Sequence, residues 1–254
     1  MIEHAVRRVA DGILSVVIAP ACAACGAILE SPTAGPVCGV CWQAVTPLRP
    51  PLCDRCGDPL PSWRVIDAAH GVCARCRRAA GTIDRARAAG EYEGRLREII
   101  HALKYSGHVS LSTRLGALMR AAGGDVLEGT SCAVPVPLHP WRRIRRGFNQ
   151  ATALAGQLGL PVVHAVWRAR VTSPQAGLTA IERRRNVRDV FILSPWMRRE
   201  RARRRWLEGR CVLLVDDVRT TGATLEACAR VLREAGVAEV RALTLARAAP
   251  PLPR

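Results

Sequence analysis

The chain has 254 residues and a formal charge of +17, long enough for one generous domain, or a large one with a small module, each burying a core without a partner chain. A sequence pI near 10.9 favours an anionic partner such as nucleic acid, a phosphorylated metabolite or a membrane surface. Lys104 is the only lysine, however, so part of the charge reflects an arginine-rich, GC-rich style of coding. No apolar stretch is long enough to span a bilayer, which excludes a helical membrane protein.

Within residues 1–19, Val6, Val9, Ile13, Val16 and Val17 recur at helical spacing, predicting an N-terminal amphipathic helix. Asp11 and Gly12 interrupt the apolar run and Glu3 stands where a basic leader region would lie, so no secretory signal is expected.

Residues 20–84 are rich in Cys, Pro and Gly and poor in apolar periodicity, so they cannot build a conventional core. Eight of the eleven cysteines fall here as four Cys-x-x-Cys pairs: Cys22/Cys25, Cys38/Cys41, Cys53/Cys56 and Cys73/Cys76. Two-residue spacing suits tetrahedral metal ligation better than disulfides, predicting two structural Cys₄ zinc sites and, by default, a reducing cytoplasmic compartment. Redox-active thiols or iron–sulfur ligation explain four evenly distributed pairs less simply. Successive and interleaved combinations of the pairs have the same sequence signature. Cys132, Cys211 and Cys228 fall in strand or helix patterns and read as buried small apolar residues.

From about residue 85 to 250 the pattern becomes α/β. A strand near Arg87–Tyr92 precedes helices at Gly94–Lys104 and Leu111–Ala122. A strand at Cys132–Val136, a helix at Asn149–Leu158 and strands at Val162–Val166 and Val190–Leu193 follow, the last two separated by a polar stretch. Cys211–Val215 is a continuous apolar run, as in a parallel strand buried on both faces. It ends in Asp216 and Asp217 and a turn. A helix from Gly222 to Ala235, stopped by Gly236, and a strand at Val240–Ala246 complete a βαβ unit.

Ligands in open α/β sheets bind where loops leave the carboxyl ends of strands, and the loop after Val215 lies there. Backbone N–H groups and hydroxyls of Thr220, Thr221, Gly222, Ala223 and Thr224 lead into a helix start and suit a phosphate. Two carboxylates would repel that phosphate, so Asp216 and Asp217 serve a ribose diol or help orient a hydrated Mg²⁺. A ligand-free capped helix would need one Thr or Asp, not this whole run.

Val212 to Thr224 resembles the phosphoribosyl pyrophosphate (PRPP) motif of type I phosphoribosyltransferases. The resemblance implies that Asp216 and Asp217 bind ribose hydroxyls and that Thr220–Thr224 hold the 5′-phosphate, with Mg²⁺ accompanying PRPP. Three further segments widen the likeness: Ala102-Leu103-Lys104-Tyr105-Ser106-Gly107, Val134 to Gln150, and Thr172 to Val187. Together they resemble the ComF (competence protein F) family, which commonly carries a double zinc ribbon before its phosphoribosyltransferase domain. Lys104, Arg143, Arg146, Asn149 and Gln150, with Arg183, Arg185 and Asn186 in a mobile loop, are then expected on the pyrophosphate side, where arginines grip phosphate oxygens bidentately. The acceptor-binding hood of type I enzymes is expected to be replaced by the ribbons and the helices of 94–122.

The resemblance implies DNA uptake with single-stranded DNA and a DNA-uptake helicase as partners. Two other readings stand beside it: Mg²⁺-dependent phosphoribosyl transfer to an unknown acceptor, and PRPP sensing without turnover. Glutamine amidotransfer is not expected, since no cysteine stands at the start as a nucleophile. Arg198 to Arg205 reads as a solvated surface helix or loop, or as a nucleic-acid contact.

Overall fold

The computed structural model describes residues 11–12, 14, 18–60, 71–78, 81–105, 107–169, 190–199 and 201–248. Of the predicted N-terminal helix, Asp11, Gly12 and Leu14 are described and helical; most of that expectation lies outside the described residues.

The cysteine-rich segment folds as two copies of one motif. In the first, Ala21 bridges Ile28 antiparallel, and the turn is closed by Cys22 N–H to Ala27 O (2.7 Å) and Gly26 N–H to Cys22 O (2.8 Å). In the second, Leu52 bridges Pro59, with Cys53 N–H to Asp58 O and Gly57 N–H to Cys53 O, both 2.8 Å. Gly26 and Gly57 occupy the left-handed region at φ +75° and +68°, where a Cβ is strained. The second cysteine pair of each copy sits on a short helix, α1 (Gly39–Gln43) after Cys38 and α2 (Ala74–Arg78) after Cys73.

The larger unit is built on four parallel strands, β1 (Arg85–Glu91), β2 (Cys132–Pro135), β5 (Cys211–Arg219) and β6 (Glu239–Arg247), in the order β1-β6-β5-β2. Because β5 lies inside the sheet, its successive side chains enter opposite cores. Leu213 and Val215 face one layer, Val212 and Leu214 the other, and all four are fully buried. Each such burial contributes about 1.5–3 kcal/mol. The first layer is formed by α3 (Gly94–Tyr105), α4 (Leu111–Ala122), the short α5 (Gly124–Leu127) and α7 (Gln150–Ala155); the second includes α10 (Ala223–Glu234). α6 (Pro140–Arg146) leads from β2 into α7.

Four expectations shift. The strand expected at Cys211–Val215 continues to Arg219, because β6 pairs with it as far as Arg219↔Arg247. The strand expected at Val162–Val166 is a single parallel bridge of Val162 to Ala133. The chain then leaves the sheet for β3 (Val166–Arg168), an antiparallel partner of β4 (Phe191–Leu193) lying over α10. Helix α4 is no hood: Leu115 and Met119 are fully buried and the helix packs on β1 and β6. Cys132 and Cys228 are buried as expected, whereas Cys211, at the strand's start, is only half-buried. Residues 198–199 and 201–205 fall on two short helices, α8 (Pro195–Arg199) and α9 (Arg201–Leu207).

The ribbons dock on the sheet. Pro47 and Leu48, in the linker between them, cover the outer edge of β1 through a Pro47–Gly90 bridge and a Leu48 N–H to Ala89 O bond of 3.2 Å, blunting an otherwise open edge. Ala86 N–H donates to Arg55 O at 2.7 Å, and a Cβ on Gly57 would stand 2.5 Å from Ala86 O. Gly57→Ala, strained in φ and clashing with backbone, is therefore expected to cost about 1–3 kcal/mol. Thermal unfolding of the zinc-loaded protein checks this, with Gly26→Ala, which meets no atom within 4 Å, losing less.

Candidate functional site

The eight paired cysteines gather as Cys22, Cys25, Cys38, Cys41 and as Cys53, Cys56, Cys73, Cys76, with the sulfurs of each set within 4.8 Å of one another. Successive pairs therefore combine. All are free thiols, and the sulfur–sulfur separations are 3.9 Å (Cys22–Cys41), 3.9 Å (Cys25–Cys38) and 3.7 Å (Cys56–Cys73). Zinc with Zn–S bonds near 2.3 Å sets tetrahedral sulfurs about 3.8 Å apart, so the two clusters fit structural zinc. Backbone N–H groups of Cys38 and Cys73 point at Cys22 and Cys53 sulfurs at 3.3 and 3.2 Å, favouring thiolates. The Cys53 thiol is drawn down to about 4, chiefly by a hydrogen bond from the Cys56 thiol, against the cost of burial; Cys56 is pushed up as the donor. A closed Cys₄ set leaves no open coordination position, so its role is structural.

The second site lies at the carboxyl ends of β5 and β2. Asp216 and Asp217 are the sixth and seventh residues of β5. Lys104 Nζ, near the end of α3, sits 2.8 Å from Asp217 Oδ1 with both side chains largely buried. Asp217 N–H donates to Asp216 Oδ1 at 2.8 Å. Burial, and then the neighbouring Asp217 charge, push the Asp216 carboxyl up to about 8, with Lys104 and the Asp217 amide pulling against them. One ion-paired carboxylate thus stands beside one carboxyl that resists ionisation.

A chain of contacts closes around this pair. Tyr105, next to Lys104, lies under the Arg146 guanidinium at 4.7 Å. Arg146 Nη1 donates to Gln150 Oε1 at 3.2 Å, and Gln150 is fully buried. Asn149 caps α7 by accepting from Ala151 N–H (3.1 Å), while its Nδ2 donates to Val136 O (3.1 Å). Val136 N–H in turn donates to Val215 O at 2.9 Å, one residue before Asp216. Lys104, Arg146, Asn149, Gln150, Asp216 and Asp217 are therefore gathered at one strand end. Arg143 lies on α6 with only its backbone described, and Arg183, Arg185 and Asn186 lie outside the described residues.

Beyond β5, Thr220 and Thr221 are exposed and Gly222, Ala223 and Thr224 half-buried. Gly222 sits at φ +79°, and a Cβ there would meet nothing closer than 4.0 Å, so what the loop needs from it is the left-handed turn into α10. Ala223 N–H donates to Thr221 Oγ1 at 3.4 Å. The arrangement offers a helix N-terminus and hydroxyls to an anion beside carboxyls that can accept from a diol.

Residues 13–77 match the family model of the double zinc ribbon domain and residues 144–251 that of the phosphoribosyl transferase domain. Competence protein F of Haemophilus influenzae is 32% identical over 222 residues, covering 84% of this chain and 90% of that protein. The chain belongs to the ComF family. DNA utilization protein YhgH of Escherichia coli K12 is 31% identical over 223 residues (83% of this chain, 90% of the relative). Competence protein ComFC of Bacillus subtilis is 28% identical over 219 (83% and 84%). The parallel sheet flanked by helices behind two Cys₄ clusters is the phosphoribosyltransferase-type fold with a double zinc ribbon that the sequence resemblance implied. Among the described residues no helix is long and apolar enough to cross a membrane.

Sequence reasoning missed the residues that join the ribbons to this ComF site. Asp58 Oδ1 lies 2.5 Å from Arg219 Nη2 and 3.5 Å from Arg247 Nη1, and Arg247 Nη2 reaches Glu91 Oε1 at 2.8 Å. Arg219 stood inside the recognised motif, but nothing in its spacing linked it to an aspartate 161 residues earlier.

Two outcomes are expected. Elemental analysis should find two zinc ions per chain, and Cys25→Ser should lower the ratio towards one while the second cluster keeps its metal. Because the Asp216 carboxyl rises from 3.8 to about 8 on folding, the folded state holds a proton that the unfolded state has lost between those values, and stability drains away as pH rises through that window. The stability of Asp216→Asn relative to wild type should accordingly climb from about pH 4 to about pH 8, read by denaturant titration; a flat difference would contradict the shift.

Proposed function

We propose that the chain binds PRPP or a related ribose phosphate at the end of β5 and acts in DNA uptake with single-stranded DNA. The observation that carries the ligand reading is the Asp216–Asp217 pair, held by Lys104 at 2.8 Å, immediately before the left-handed Gly222 turn into α10. In this reading Asp216 and Asp217 accept hydrogen bonds from the ribose diol, and the N–H groups and hydroxyls of Thr220 to Thr224 surround the 5′-phosphate. Lys104 and Arg146, with Arg143, Asn149 and Gln150, provide the pyrophosphate side. In this reading Arg183, Arg185 and Asn186, which lie outside the described residues, belong to the loop over the site that the family resemblance implies. A Mg²⁺ ion accompanying PRPP would supply charge neutralisation. Residues 20–84 form the ribbon domain and 85–250 the ligand-binding domain.

The DNA part of the reading is supported by the relatives' names, competence protein and DNA utilization protein, and by surface chemistry. Trp141 and Ile144 are 70% and 76% exposed on α6 beside exposed Arg145. Trp196 is exposed on α8, next to exposed Arg198, Arg199, Arg201 and Arg205. Exposed aromatics interleaved with arginine suit stacked bases and a phosphate backbone. The DNA-uptake helicase belongs to the same setting as a partner.

Calorimetry with PRPP and Mg²⁺ tests the first claim: wild type should bind, and Asp216→Asn/Asp217→Asn should abolish binding while leaving DNA affinity within about threefold. Equal loss of both would merge the two sites into one. Pyrophosphate release on adding candidate acceptors separates transfer from sensing. For the second claim, Arg198→Glu, Arg199→Glu, Arg201→Glu and Arg205→Glu combined should weaken oligonucleotide binding and flatten its salt dependence by roughly 0.7 in log–log slope per lost phosphate contact. An unchanged slope would remove these helices from the interface.

A further inference from the structure

The two ribbons differ at one informative place. After the knuckle glycine the first has Ala27 and the second Asp58, and each backbone carbonyl accepts the same hydrogen bond from the first cysteine of its motif. Asp58 is thereby fixed by the knuckle that presents Cys53 and Cys56. Its carboxylate leaves the ribbon, meeting Arg219 at 2.5 Å and Arg247 at 3.5 Å at the ends of β5 and β6, while Arg75 of its own ribbon takes the other oxygen at 2.8 Å. Arg219 and Arg247 are 9% and 8% exposed, so this is a desolvated cluster in which a lost partner leaves buried charge. These arginines hold the Asp58 carboxyl below its ordinary value, against the cost of its burial.

A second tie reaches the same loop from its far side. Arg55, inside the second knuckle, donates to Gly81 O at 2.9 Å, and Thr82 N–H donates to Glu226 Oε2 at 2.8 Å. Glu226 belongs to the first turn of α10. The segment from Thr220 to Leu225 is thus bracketed by Arg219 and Glu226, both bound to the second ribbon or to the strap that leaves it. The first ribbon packs elsewhere, through Arg95 to Ala24 O at 3.4 Å and Arg114 over Trp42 at 4.5 Å, against α3 and α4.

We infer that the second ribbon is a built-in buttress of the phosphate loop, with Asp58 and Glu226 as positioning residues that hold the two ends of 219–226 and so set its order and its affinity for an anion. The affinity part rests on the ribose-phosphate reading; the ordering part does not. The glycine-hinged turn at Gly222 carries no restraint of its own in φ, so the flanking ties decide how much conformational entropy an anion must remove on binding.

The test is amide hydrogen exchange across 216–226 in the zinc-loaded full chain without ligand, for wild type, Asp58→Asn, Glu226→Gln and, as a control, Asp84→Asn. Asp84 pairs with Arg233 on the far part of α10 and accepts from Val240 N–H at 2.8 Å, so its loss should lower global stability without loosening the loop. Asp58→Asn should retain two zinc ions and speed exchange in 219–224 by about tenfold or more, an opening confined to that segment. Glu226→Gln should do the same from the other side. Exchange that is unchanged in both variants, or raised equally by Asp84→Asn, would overturn the buttress. Should Asp58→Asn lose zinc, Glu226→Gln, which touches neither cluster, decides the matter. Calorimetry with PRPP and Mg²⁺ is run in parallel, and weaker binding by the two variants is the expected result. Absence of binding by wild type would sink the ribose-phosphate reading while the exchange result still judges the buttress.

Discussion

Burial of β5 on both faces is the constraint on which the rest depends. A strand with Leu213 and Val215 in one core and Val212 and Leu214 in the other cannot place a polar side chain until it runs out of covering layers. The first polar side chains of β5, Asp216 and Asp217, follow directly on this apolar run. Their peculiar electrostatics come from the same source. A carboxyl one residue beyond a dry core is desolvated before any ligand arrives, which is why Asp216 resists ionisation and Asp217 needs Lys104. The site is an outcome of polar residues placed at the end of a strand buried on both faces.

Farther along the strand ends, buried charge is balanced by a row of alternating partners. From β1 to β5 it runs Glu91, Arg247, Asp58 and Arg219, at separations of 2.8, 3.5 and 2.5 Å. Only one member of this row comes from outside the sheet, and it is supplied by a ribbon with little apolar core of its own. Metal ligation makes such a contribution workable: a segment held by sulfur–metal bonds can spend a side chain on its neighbour without weakening its own packing. The ribbon gains a docking site from the exchange, since Ala86 and Arg87 of β1 also bind its backbone, the latter through Asp54 O at 3.0 Å.

How far the sequence reveals this follows from the range of each interaction. Helix α4 and the β5–α10–β6 unit were readable because burial imposes a local period: Leu111, Leu115 and Met119 on one helix face, an unbroken apolar run in the strand. The apolar pattern of β5 stops at Val215 because Asp216 and Asp217 break it, although backbone pairing to β6 continues without regard to side-chain polarity. Val162–Val166 looked like one strand because it is largely apolar, yet only the partner decides pairing, and Ala133 offers one bridge. The cysteine pairing was undetermined in one dimension. It became determinate once the repeated knuckle, with Gly26 and Gly57 in matching turns, showed each pair facing the next. Asp58 was invisible to any local rule, since an aspartate after Cys-x-x-Cys-Gly has no signature of partners 161 and 189 residues away.

The charge excess takes on a different meaning once these partnerships are counted against it. A surplus of 38 basic over 21 acidic residues would be costly if spread evenly, because like charges in a small domain repel. Instead several of the acids are paired with arginines. Asp58, Asp84, Asp125, Glu91 and Glu239 pair with Arg219 and Arg247, Arg233, Arg87, Arg247 and Arg241 in turn. Among the exposed basic residues, Arg145 on α6 and Arg198, Arg199, Arg201 and Arg205 on α8 and α9 lie on or directly after the short helices that carry exposed Trp141 and Trp196, outside the paired row. Acids placed within the buried row keep the field weak there, where uncompensated charge would cost most, while these short helices remain basic.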